Sequence, residues 1–119
     1  MAVRKKSGDL AEQKACEFLQ ARGLKLIMKN YRCIFGEIDL IMRDDHDIVF
    51  IEVRSRTNTD YGSPIESITK SKQKKIMGTS IHFLQQRNWL NKVNSRFDVV
   101  GIHKDNLEWI KDAFTVDIL

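Results

Sequence analysis

Two apolar segments of the sequence each carry a carboxylate near their middle. Asp39 lies within 38–42, Glu52 lies within 48–53, and the acidic stretch 44–47 separates the two segments. If the segments pair as a hairpin centred on that stretch, Asp39 faces Glu52 with Cβ atoms about 4.5 to 5.5 Å apart. Carboxylates this close repel each other, and the pKa of one of them rises unless a cation intervenes. The pattern therefore predicts a site for Mg²⁺ or Mn²⁺, which prefer oxygen ligands.

Such a metal site would bind phosphate oxygens. Mg²⁺ often takes only one or two protein carboxylates and keeps waters that a phosphate can replace. A metal held in this way can polarise a phosphodiester and supply a nucleophile for in-line attack. The same register places Arg54 opposite Glu37, and a guanidinium beside the acids would stabilise charge that develops on the phosphate. The spacing thus indicates phosphodiester chemistry.

Alternation along the two strands predicts two faces of different character. One face carries Glu37, Asp39, Glu52 and Arg54. The other face carries Ile38, Leu40, Val49, Ile51 and Val53. The alternative to a metal site is a solvated sheet face with a plain Glu37–Arg54 ion pair. Three large apolar side chains on the same face as the acids favour a cleft instead, namely Ile41, Ile48 and Phe50.

Helices and strands that could position these side chains follow from hydrophobic periodicity. A helix is predicted over 10–22, with Asp9 as its N-cap and Gly23 as its C-terminal cap. A second helix is predicted from 66 or 69 to 87, with Met77, Ile81 and Leu84 facing the core. Strands are predicted over 24–33, 37–43, 48–56, 96–103 and 107–111, and a polar loop over 57–63. This order predicts an α/β protein of the α+β kind, with a central mixed sheet flanked by helices.

Length and charge indicate one domain with a basic segment. The chain has 119 residues, of which 42% are hydrophobic and 30% charged, as in an ordinary globular protein forming a single domain over 1–119. Its net charge is +4 and its pI about 9.2. Between 69 and 96 there are seven basic residues and no acid, which favours either a polyanion-binding surface or a solvated helix face. The seven are Lys70, Lys72, Lys74, Lys75, Arg87, Lys92 and Arg96.

Several classes of protein are disfavoured by the sequence. No apolar run approaches the length of a membrane span, and the basic N-terminus continues into polar residues, so a cytoplasmic location without membrane partners is expected. Cys16 and Cys33 have no neighbouring ligands at zinc-site spacing, and two buried, reduced thiols are expected. The sequence leaves open whether the chain forms a homodimer.

Four blocks of the sequence resemble the bacterial YraN family, whose members are usually described as uncharacterised proteins or candidate endonucleases. The blocks are 36–41, 50–56, 96–100 and 108–114, and the resemblance covers almost the whole chain in order. It implies the restriction-endonuclease-like fold, with the PD-(D/E)XK nuclease core, and similarity to archaeal Holliday-junction resolvases.

The resemblance assigns roles to individual residues. Asp39 would be the aspartate of the motif and Glu52 its second acid, while Arg54 would occupy the position of the lysine. Glu12 would be an additional metal ligand, although Asp9 and Glu12 also have the spacing of a capping box. On the basic helix, polar residues near the scissile phosphate would include Lys70, Lys72 and Gln73, with solvent exposure as the alternative for each.

Three functions are therefore considered. The first is a Mg²⁺-dependent endonuclease that acts on branched or otherwise structured DNA. The second is a nucleic-acid-binding module that has lost turnover, because arginine stays charged and cannot act as a base. The third is a protein-interaction domain in which Trp89 and Trp109 could form the interface, although tryptophans in a small domain more often belong to the core.

Overall fold

The computed structural model describes residues 6–55 and 64–115. The elements in these ranges are helix α1 (Lys6–Gln20), strands β1 (Lys25–Cys33), β2 (Gly36–Asp44) and β3 (Asp47–Ser55), a 3₁₀ turn (Pro64–Ser67), helix α2 (Lys70–Gln86), and strands β4 (Ser95–His103) and β5 (Asn106–Ile110). The predicted loop over 57–63 and the last residue of the third predicted strand, Arg56, lie outside the described residues. The order of helices and strands is the one predicted.

The described strands form one five-stranded sheet in the order β1-β2-β3-β4-β5. β1 and β2, β2 and β3, and β4 and β5 pair antiparallel, whereas β3 and β4 pair parallel. A parallel pair needs a long crossover connection, and the segment that contains α2 supplies it. The predicted mixed α+β sheet is therefore confirmed.

One helix covers each face of the sheet. α1 packs against one face through small and aliphatic side chains, including Ala11, Ala15 and Leu19. The strand residues under α1 are Leu40, Met42, Val49 and Ile51, and those under α2 are Ile41, Ile48 and Phe50. These two sets alternate along β2 and β3, as the pleat of a strand requires. The helix that carries the basic residues thus lies on the same side of the sheet as the two acids.

Ile38 departs from the predicted alternation. It was expected on the same face as Leu40, but it packs in the cluster beneath α2 whereas Leu40 packs beneath α1. The pairing of β2 with β3 ends at Leu40–Ile51, while β2 remains paired with β1 as far as Gly36. Because β3 does not pair with β2 at Ile38, the hairpin register does not determine which side this residue occupies.

α1 begins at Lys6 and ends at Gln20, so both ends differ from the predicted bounds of 10–22, although the predicted C-terminal cap is present. Gly23 has φ of +98°, and the amides of Gly23 and Leu24 bond to the carbonyls of Gln20 and Leu19, which confirms the predicted C-terminal cap. At the other end the helix already includes Lys6, so Asp9 lies inside its first turn and is not the N-cap. An acid in that turn still interacts favourably with the helix dipole.

α2 begins where one of the two predicted starts placed it. Thr69 is the N-cap, and its hydroxyl accepts a hydrogen bond from the amide of Lys72 at 3.1 Å. The predicted core stripe is partly wrong, because Ile81 is only half-buried whereas Ile76 and Phe83 are buried. The helix places Thr79 and Ser80 against the sheet, and these small side chains rotate the buried stripe away from Ile81.

The two cysteines are free thiols, with Cys16 buried and Cys33 only half-buried, so the expectation of two buried thiols holds for Cys16 alone. Burial raises the pKa of the Cys16 thiol. Neither helix in the described ranges is long and apolar enough to cross a membrane.

Candidate functional site

The hairpin of β2 and β3 has the predicted register. Its pairs run from Asp44–Asp47 at the turn to Leu40–Ile51, and Asp39 and Glu52 are the next residues on the two strands. Beyond the last pair, the Asp39 carboxylate accepts a hydrogen bond from the backbone amide of Val53 at 2.8 Å. The Asp39 side chain thereby accepts the hydrogen bond that this amide would donate to a backbone carbonyl in a regular β-ladder. The two acids therefore lie where the strands separate.

Asp39 and Glu52 interact strongly. The pKa of Asp39 rises from its ordinary value of 3.8 to about 7, first because burial penalises the charged form and second because Glu52 repels it. Glu52 is itself only 7% exposed. At neutral pH this pair therefore retains a proton more readily than an exposed aspartate does. A proton held by the half-buried Asp39 beside the buried Glu52 marks a position where another cation would also be stabilised.

Two basic side chains reach the same acid. Arg54 Nη2 lies 3.2 Å from Glu52 Oε2, and Lys72 Nζ lies 3.7 Å from the same oxygen. The Nε atom of Arg54 is buried and has no hydrogen-bond partner among the described residues. The Glu37–Arg54 ion pair of the alternative interpretation is not formed, since Glu37 accepts a hydrogen bond at 2.8 Å from Arg32, its register partner on β1.

Among the residues predicted on the basic helix, Lys72 is the one that contacts the acids. Gln73 is buried, and its amide donates to the carbonyl of Ile68 at 3.2 Å, so it anchors the start of α2. Lys70, Lys74 and Lys75 are exposed. The exposed lysines therefore provide a positive surface beside the acids and do not contact them directly.

Glu12 is half-buried on α1, which covers the opposite face of the sheet from α2. Within residues 6–55 and 64–115, no group of three or more His, Cys, Asp or Glu side chains could hold a metal ion. The structure thus brings Asp39 and Glu52 together without Glu12 as a third ligand. The capping-box alternative also fails, because Asp9 is not at the N-cap position.

A second polar cluster surrounds Asp98, to which the sequence pattern assigned no role. Asp98 is 0% exposed and accepts hydrogen bonds from Arg96 at 3.0 Å, from Trp109 Nε1 at 2.9 Å and from the amide of Asp112 at 2.9 Å. Arg96 also donates to Asp44 at 2.9 Å, next to the β2–β3 turn. The cluster ties three strands together, and the alternation of Arg96 and Asp98 in an apolar strand was its only signal in the sequence.

The fold and the site together define a mixed-sheet α+β protein with a paired-carboxylate site flanked by arginine and lysine. Residues 11–102 match the uncharacterised protein family UPF0102. The chain belongs to the UPF0102 family.

Similar proteins extend over nearly the whole chain. The chain is 47% identical over 120 residues to a UPF0102 protein of Nitrosococcus oceani, covering 98% of this chain and 97% of that protein. It is 50% identical over 109 residues to a UPF0102 protein of Psychromonas ingrahamii, covering 90% and 88%. A UPF0102 protein of Coxiella burnetii is 44% identical over 117 residues, covering 98% of each.

Proposed function

We propose that the chain is a metal-dependent endonuclease that hydrolyses phosphodiester bonds in structured or branched DNA. The observation that carries this proposal is the pair of the half-buried Asp39 and the buried Glu52, in which the pKa of Asp39 rises to about 7 beside two basic side chains. The resemblance to the YraN family supports the proposal as well, since it implies a restriction-endonuclease-like fold with a PD-(D/E)XK core. Perturbed acids beside fixed cations are typical of catalytic sites.

The residues present fit a divalent cation. Asp39 and Glu52 would hold Mg²⁺ or Mn²⁺, since a cation would take the place of the shared proton and remove their repulsion. Two protein carboxylates are enough for Mg²⁺, whose remaining ligands are usually water and substrate oxygens. When bound, the metal supplies the positive charge that polarises a phosphodiester and makes water a better nucleophile.

Arg54 and Lys72 provide the other positive charges of the proposed site. The Arg54 side chain is 30% exposed, so its guanidinium can hold a phosphate oxygen, but it cannot remove a proton from water. Lys72 brings an ammonium group from α2 to the same carboxylate, 3.7 Å from Glu52. Lysine can orient an attacking water, so Lys72 supplies the group that the motif position occupied by Arg54 lacks.

The test is cleavage of four-way, flapped and linear DNA of one sequence, with Mg²⁺ or Mn²⁺. Asp39→Asn and Glu52→Gln are expected to abolish cleavage, whereas Asp45→Asn, which changes an exposed acid in the turn of the same hairpin, should not. Lys72→Ala should slow cleavage by about 10²-fold, the usual cost of removing one transition-state charge. A pure preparation that cuts none of these DNAs with either metal would refute the proposal.

A second candidate is a DNA-binding module without turnover, which the arginine at position 54 favours. It predicts binding that weakens steeply with salt, because displaced counterions supply much of the binding free energy. Retained affinity in Asp39→Asn, together with no cleavage by the parent protein, would support this candidate over the nuclease.

A further inference from the structure

The tip of the β1–β2 hairpin exposes two adjacent apolar side chains. Ile34 is 92% exposed and Phe35 is 50% exposed. Their contiguity distinguishes them from isolated surface leucines, since scattered apolar residues are normal on protein surfaces and need no partner. A paired apolar tip is therefore a candidate contact surface.

The tip is held against α2. Phe35 lies on Gly78, where a Cβ atom would be 3.4 Å from the Phe35 Cβ, and its ring packs at 6.3 Å from the ring of His82. Gly36 also lies against this helix, since a Cβ atom there would be 3.3 Å from Thr79 Oγ1 and 3.5 Å from the Cβ of Lys75. The tip is thus positioned before any partner binds, which lowers the entropy cost of binding.

The surroundings of the tip are positively charged. Lys74 and Lys75 are exposed on α2, which contains five basic residues and no acid when Arg87 at its C-cap is included. Glu37, the acid beside the tip, is paired with Arg32 at 2.8 Å. An apolar tip within a basic surface fits a polyanion whose apolar parts are also accessible. Nucleic acid with unstacked bases has this combination.

We propose that Ile34 and Phe35 form a wedge that contacts unpaired or unstacked bases beside the phosphodiester held at Asp39 and Glu52. This inference rests on the proposed function and specifies its substrate class as DNA with unpaired bases. Phe35 and Ile34 precede Asp39 by four and five residues, or at most about 13 to 17 Å of chain. The wedge therefore reaches bases within about four or five steps of the scissile phosphate, at about 3.4 Å per step.

The experiment measures binding of Asp39→Asn protein, in which cleavage is suppressed, to two fluorescent DNAs by anisotropy at several salt concentrations. One DNA is a fully paired duplex, and the other has the same sequence with a two-base bulge. The double variant Ile34→Ala, Phe35→Ala should bind the bulged DNA about tenfold more weakly, since each stacked base contributes roughly 5- to 150-fold in affinity. Its affinity for the duplex and its salt dependence should not change, because no phosphate contact is removed.

Leu10→Ala is the matched control, because Leu10 is 57% exposed and lies on α1, across the sheet from the tip. It should bind both DNAs as the parent does. Ile34→Ala alone keeps the packing of Phe35 and should show part of the loss with an unchanged unfolding midpoint.

Three results would overturn the wedge. They are equal losses on both DNAs, no loss on either, and sedimentation of the double variant at half the mass of the parent, which would mean that the tip joins two copies of the chain. If cleavage of DNA requires Asp39 but is the same in the parent and in the double variant of the tip, this inference is removed and the proposed function remains. Absence of any DNA binding at low salt would remove both.

Discussion

Asp39→Asn should stabilise the protein at pH 8 and have little effect at pH 4. The folded chain binds the Asp39 proton more tightly than the unfolded chain, because the pKa of Asp39 rises from 3.8 to about 7 on folding. The stability that the Asp39 proton contributes is therefore fully present below about pH 4 and is lost as the pH rises towards and through about 7. At 1.36 kcal/mol per pKa unit, the loss is about 4 kcal/mol.

Asparagine imitates the protonated acid. Its carbonyl oxygen can accept the Val53 amide proton, and its amide can donate to Glu52 as the shared proton does. The variant should thus lack this pH dependence, and its stability should exceed that of the parent by about 4 kcal/mol at pH 8. Urea unfolding at pH 4, 6 and 8 measures the difference. Asp45→Asn, in the exposed turn, is the control and should show no such trend.

A difference in stability between Asp39→Asn and the parent that is the same at pH 4 and pH 8 would show that burial and Glu52 do not perturb Asp39 as described.

Metal binding provides a second measurement of the repulsion between Asp39 and Glu52. Mg²⁺ at 100 times its dissociation constant should stabilise the parent at pH 8 by about 2.7 kcal/mol. It should stabilise less at pH 6, where protons compete for the site, and least in Asp39→Asn.

Two further substitutions test the packing that holds the site. Asp98→Ala should lower the free energy of unfolding, measured with urea, by about 3 to 5 kcal/mol, because it leaves Arg96 without its buried partner. A loss below about 1 kcal/mol would contradict the role given to that cluster. Gly101→Ala should cost about 1 to 3 kcal/mol, because the added Cβ would overlap the ring of Pro64. Pro64→Ala in the same chain should recover part of that loss, and strictly additive effects of the two changes would show that the overlap is relieved elsewhere.

The hairpin that carries the acids was predictable from the sequence. Its two apolar segments flank the short acidic turn 44–47, and a turn of fixed length between paired strands sets the register of a hairpin. The pairing of Asp44 with Asp47 and the approach of Asp39 to Glu52 both follow from that register. Local pattern was sufficient because both partners lie within one hairpin.

Contacts between distant segments were not predictable in the same way. The ion pair between Glu37 and Arg32 depends on how β1 pairs with β2, and the register of that pairing shifts between Leu26 and Met28. Two stripes on α2 satisfy helical spacing. One is the predicted stripe of Met77, Ile81 and Leu84, and the other is the observed stripe that contains Ile76 and Phe83. Only the sheet beneath decides between them, since it accepts the small side chains of Thr79 and Ser80.

The resemblance to the YraN family implies a lysine at the position of Arg54, and the fold bears on that difference. In the sequence, the exchange weakens the case for catalysis, because a guanidinium cannot serve as a base. In the structure, α2 crosses the same face of the sheet and brings Lys72 to Glu52, so a planar guanidinium and a compact ammonium both lie beside this acid. The two cations share the Glu52 carboxylate, whereas the raised pKa belongs to Asp39. Under the proposed function, a divalent cation that binds between the two acids would displace the Asp39 proton.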